Sequence, residues 1–288
     1  MPDNQYKSDA STPAQRPTKK TPPATAELSA TAQAALAATN TVTIDPGGAT
    51  FPTITAALNS ITDNSQQKEY LLYVGPGTYN EQVTMKPFVS IQGADQSTTF
   101  ITNPAAADAF SGGTVNAASN CTLANVTVSS LGGVWGSYST AVSCKGATGF
   151  SIDNSTLIVN DQNQAGINQC TLDAALNTFD PASQLIVSYC LISCTAQNSQ
   201  SGASALGIAA NSSAELLDCK VVATGGGQSF GVITARSGSV TLDNCYIQGG
   251  NWALYDSDGI SPITANNCQI SGSVSGGVTV NNFPPPQE

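Results

Sequence analysis

The chain has 288 residues, 10% charged and 6% aromatic, with 26 glycines, no histidine and a formal net charge of −10. An acidic surface repels phosphate backbones and anionic lipid, which argues against nucleic acid and membrane as partners. With no histidine no Ser/His/Asp set is possible, and the chain carries no phosphate-binding glycine loop, HExxH or CxxC.

Residues 1 to 23, rich in Pro, Lys, Ser and Thr without apolar periodicity, predict a disordered arm. An Ala-rich run over 24 to 39 predicts a marginal helix that needs a partner surface. Together they form a flexible arm over 1–39, suited to self-association or to holding a partner protein. It holds four bases against three acids, which leaves five bases and sixteen acids for the rest of the chain. It lacks the apolar core of a signal peptide, and no stretch is apolar for long enough to span a bilayer. The expectation is a cytoplasmic protein, or one exported by a non-classical route.

From about residue 40 the texture changes to short β-like runs broken by Gly, Asn and Asp. FPTITAALNSI (51 to 61) places Ile54, Ala57, Leu58 and Ile61 at helical spacing, the pattern of a short helix closing an end. Six later segments then repeat one another: LANVTV (123), IDNSTL (152), VSYCLI (187), LLDCKV (216), LDNCYI (242) and ANNCQI (265). Each has a corner residue, Asn125, Asn154, Tyr189, Asp218, Asn244 or Asn267, and Asn and Asp tolerate a left-handed backbone best after Gly. The next residue is small or compact: Val126, Ser155, Cys190, Cys219, Cys245 and Cys268, at steps of 29, 35, 29, 26 and 23.

A second ladder precedes the corners: TAVSC (140), AGINQ (165), LGIAA (206), FGVIT (230) and WALYD (252), with an insertion ending in DAALNTFDP in its second coil. Two strand ladders in phase predict an all-β fold, a single right-handed parallel β-helix over 40–283 with a short N-terminal capping helix. A sandwich would show hairpin signals instead. Three prolines close the solenoid, leaving 284–288 as a disordered tail.

TVTIDPGGATFPTITAALNSITDN, YLLYVGPGTYNEQVTM and VSIQGADQSTTFIT resemble the opening coils of the pectin methylesterase family, within the pectin-lyase-like β-helix superfamily. The resemblance is specific over about 40 to 102 and architectural beyond. It marks GTYNEQV as a structural signature, so Tyr79 and Glu81 speak of fold before chemistry. It also implies catalysis on one ladder, from a Gln before an AVAL-like strand, an Asp inside QDTL and an Asp opening DFIFG, with Arg and Trp from GRPW. The corresponding ladder here begins with Thr140, Ala165 and Leu206, and GRPW is absent. An ester-cleaving carboxylate pair needs one ionised nucleophile and one protonated acid, and Thr, Ala and Leu supply neither.

The eight cysteines read as buried thiols, because four fall at equivalent points of successive coils; Cys190 and Cys194 alone make a poor zinc site. No metal and no cofactor is expected. Candidate binding residues are Trp135, Tyr138, Trp252 and Tyr255, whose rings suit sugar stacking as well as plain packing. Arg236, Asp256 and Asp258 are nearly in phase on adjacent coils, a small polar site or simply solvated turns; Lys145 adds a charge to the same flank. The leading expectation is a non-catalytic pectinesterase-like module that binds polysaccharide or serves structure. A polysaccharide-acting enzyme with relocated carboxylates, such as Asp256, Asp258 or Asp161, and a self-assembling fibre subunit are the alternatives.

Overall fold

The computed structural model describes residues 40–47, 51–103, 112–130, 139–161, 172–178, 183–196, 202–209, 211–225 and 227–282. The expected arm and tail, and Trp135, Tyr138 and Ala165, lie outside them. The described chain winds through three stacked ladders of short strands. In each full coil a strand of ladder 1 leads through the corner to ladder 2 and then to ladder 3, as in Phe150–Asp153, Thr156–Asp161 and Leu172–Thr178. Ladder 1 stacks ten strands, from Asn40–Ile44 to Val278–Asn281, among the described residues. Neighbouring strands pair in parallel throughout, with rungs about 4.8 Å apart. The winding is right-handed, the hand that strand twist imposes on parallel crossovers.

Alternation along each strand puts one set of side chains inside. In Leu191–Ala196 buried and half-buried positions alternate. Stacked coils turn that alternation into continuous apolar columns. Ladder 1 contributes Leu72, Ile91, Leu123, Ile152, Val187, Leu216, Leu242 and Ala265, all buried and in register. Ladder 3 contributes Val83, Val115, Val142, Leu176, Leu206, Val232 and Leu254.

All six expected corners are left-handed, with φ between 42° at Asn154 and 56° at Asn125. The Asn154 amide also donates to Asn125 Oδ1 at 2.8 Å, so one corner side chain holds the next. The position after the corner has a second task. Ser155 Oγ donates to the carbonyl of Asp153 at 2.8 Å, and the thiols of Cys190, Cys219, Cys245 and Cys268 donate to the carbonyl two residues back at 3.1–3.3 Å. Ser and Cys interchange there because each is small and carries one donor. The seven described cysteines are buried, and burial pushes the Cys121 thiol up to about 12.

The helix α1, Ile54–Ser60, closes the first coil with Ile54, Ala57 and Leu58 buried. Thr53 Oγ1 caps it by accepting from Ala56 N–H, while the Glu81 carboxylate accepts from the N–H groups of Ile54 and Thr55 at 2.8 Å each. At its far end Lys86 Nζ donates to the Ile61 carbonyl at 2.7 Å. An acid at the N-terminus and a base at the C-terminus also suit the helix dipole. Tyr79 donates its hydroxyl to Gly75 O at 3.0 Å, and burial raises it to about 12. The GTYNEQV motif therefore fastens the cap to the solenoid.

Candidate functional site

Ladder 3 is where the family resemblance looks for chemistry, and its register corrects one expectation. The rung between Thr140–Ser143 and Gly202–Ala209, the place expected for AGINQ, is formed by Leu172–Thr178, while AGINQ lies outside the described residues. Thr140 therefore stands beside Ala174, and Ala174 beside Ser204. Leu206 lies in the Leu176 and Val142 column, two positions along, so Thr140 and Leu206 share the ladder without sharing a column. Both segments offer short runs of small and aliphatic residues, and only pairing across the long second coil distinguishes them.

The described strands of ladder 3 contain two carboxylates, Asp173 and Asp256. Asp173 was hidden in the sequence by the misplaced rung. Their backbone positions lie three rungs and five strand positions apart, roughly 20 Å at standard strand spacings. Thr140 Oγ1 and Ser204 Oγ are buried without hydrogen-bond partners. Among the described residues neither hydroxyl has a hydrogen-bonded base to make it a nucleophile.

Trp252 and Tyr255 lie on the strand Tyr246–Asp256, joined by Phe230 from the preceding coil, which sequence reasoning passed over inside FGVIT. The Tyr255 ring centroid is 5.1 Å from Trp252 and 5.2 Å from Phe230, both pairs tilted. Trp252 and Tyr255 are half-buried and Phe230 is buried, so the cluster presents ring area while packed on the strand. Gly249 makes this possible, because it sits where the strand bends from ladder 2 into ladder 3. A Cβ there would stand 1.7 Å from the Trp252 carbonyl oxygen.

Asp256 and Asp258 are parts of one turn, which Asp258 ties to the Arg236 main chain. Asp256, buried, accepts from the N–H groups of Asp258, Gly259 and Ser261 at 3.0–3.3 Å. Asp258 accepts from the backbone N–H of Arg236, itself in the left-handed region at φ 52°, so its partner there is the main chain. Asp161 ends a strand of ladder 2, beside Ala196, away from the aromatic cluster. Lys145 is exposed, just past the strand Thr140–Ser143. No group of His, Cys, Asp and Glu among the described residues is arranged to hold a metal ion.

A second concavity lies on the outward side of ladder 2. The Gln96 loop leans across two coils, with Thr156 Oγ1 donating to Gln96 Oε1 at 2.9 Å and Thr127 Oγ1 to Gln96 O at 2.7 Å. With Phe100, Leu191 and Lys220 it bounds an open groove of about 660 Å³. The groove depends on a loop reaching across coils, which strand periodicity does not report.

Stacked parallel ladders, left-handed corners and a helix-closed first coil define a right-handed β-helix of the pectin methylesterase type. Solved structures share it: the Aspergillus niger pectin methylesterase superimposes with a TM-score of 0.56 and 18% identity over 85% of each chain. The carrot enzyme gives 0.55 and 11% over 86% of this chain and 88% of its own, and that of Erwinia chrysanthemi 0.52 and 14% over 83% and 80%. A pectin methylesterase in complex with a hexasaccharide gives 0.51 and 12% over 83% and 80%. No protein-family model and no curated protein sequence matches the chain. No helix among the described residues is long and apolar enough to cross a membrane.

Proposed function

We propose that this chain is a non-catalytic β-helix module that binds polysaccharide on the flank of ladder 3, with Trp252 and Tyr255 as the platform and Phe230 as its support. One observation carries the reading: on the described strands of ladder 3 the acidic positions, Asp173 and Asp256, are roughly 20 Å apart along the backbone at the strand spacings used above, and the Asp256 carboxylate is engaged in a turn. Half-buried rings fixed at 5.1 Å offer apolar faces to sugar C–H groups while their edges stay wet. The net charge of −10 disfavours a polyuronate, so the bound chain is neutral or heavily esterified. The hexasaccharide bound to a protein of the same fold supports a polysaccharide as the class of ligand.

Electrophoresis through gels containing neutral glycans, methyl-esterified pectin or de-esterified pectin tests this directly. Retardation is expected in the first two and weakest in the third, and Trp252→Ala weakens it by about tenfold, the equivalent of ~1.4 kcal/mol. Equal retardation of wild type and a Trp252→Ala/Tyr255→Ala variant, or none in any gel, contradicts the proposal.

A further inference from the structure

We infer that the C-terminal end of the solenoid is an interface for a second copy of this chain, joined end to same end about a two-fold axis. The interior columns show it. Along ladder 3 every residue from Val83 to Leu254 is buried, and the next, Val274, is 38% exposed. Along ladder 1 every residue from Leu72 to Ala265 is buried, and the next, Val280, is 40% exposed. Ile270 and Val278, which end two further columns, are only partly covered. The last coil thus presents the core in cross-section.

The same end carries unpaired strand edges. Gln269–Val274 pairs only with the strand before it, and Val278–Asn281 is the last member of ladder 1 among the described residues. Free N–H and C=O groups beside apolar side chains are a template for strand addition. Edges that must stay single usually carry charge, yet residues 260 to 282 contain no Asp, Glu, Lys or Arg.

That neutrality selects the occupant. In a chain of net charge −10, two copies repel over most of their surface, and this end is where they meet without bringing like charges together. The other end is closed by α1, with Ile54, Ala57 and Leu58 already buried, so head-to-tail stacking has no second apolar face. Same-end contact is isologous and stops at two copies. One coil's cross-section is small beside the ~800 Å² per partner of a standard interface, so pairing is reversible and concentration-dependent.

The test is sedimentation velocity on the full chain from micromolar to near-millimolar concentration. The weight-average mass should rise towards twice that of one chain. Val274→Lys/Val280→Lys should weaken pairing at least tenfold with an unchanged circular dichroism spectrum, since both side chains are exposed. Asn59→Lys, an exposed position on the closed end, should leave it intact. A single-chain mass throughout, a dimer that survives the double variant, or masses growing beyond two copies would each overturn the inference. Because none of these readouts involves a glycan, the result is independent of the polysaccharide proposal.

Discussion

The two ends of this solenoid meet the same physical problem differently. At the N-terminal end the first coil's core is covered by α1, and three side chains fasten that helix: Thr53 and Glu81 at its start, Lys86 at its far end. At the C-terminal end the described chain stops at a bare rung, and valines that would be interior in any other coil stand exposed. The covered end can therefore be damaged by truncating its apolar contacts, whereas the open end has little left to lose.

That contrast orders the expected effects on unfolding by urea. Leu58→Ala, which empties a buried site between α1 and the first coil, should cost about 3 kcal/mol. Glu81→Ala removes a charged acceptor from two helix N–H groups and should cost about 2 kcal/mol. Val280→Ala, in a column whose earlier members are buried, should cost well under half as much as Leu58→Ala, because 40% of its surface is already exposed. A Val280→Ala effect as large as that of Leu58→Ala would mean that the two ends are equally covered and would remove the basis of the contrast.

Much of the fold is legible in the chain because its rules are local. A left-handed corner favours Asn or Asp at a fixed place, filled so at five of the six corners with Tyr189 the exception. The residue after it is compact and in five of six carries a single donor, so Asn125 to Asn267 and Ser155 to Cys268 announce their coils one by one. GTYNEQV likewise reads correctly as structure, since its Tyr79 and Glu81 both satisfy nearby backbone. The register of ladder 3 is less legible, because AGINQ and LDAALNT satisfy the same pattern and the choice between them belongs to long-range pairing. That one slip hid Asp173. Phe230 stands beside Trp252 in the register of neighbouring coils and its ring meets Tyr255, a pairing across coils that no sequence period reports. The groove bounded by Gln96 escaped for the same reason.

The claim that ladder 3 binds without turning over is tested most directly by methanol release from highly methyl-esterified pectin, followed at high protein concentration over hours. The account predicts release no faster than buffer alone, for wild type and Asp173→Asn alike. Steady release by the wild-type chain, abolished by Asp173→Asn or Asp256→Asn, would contradict it.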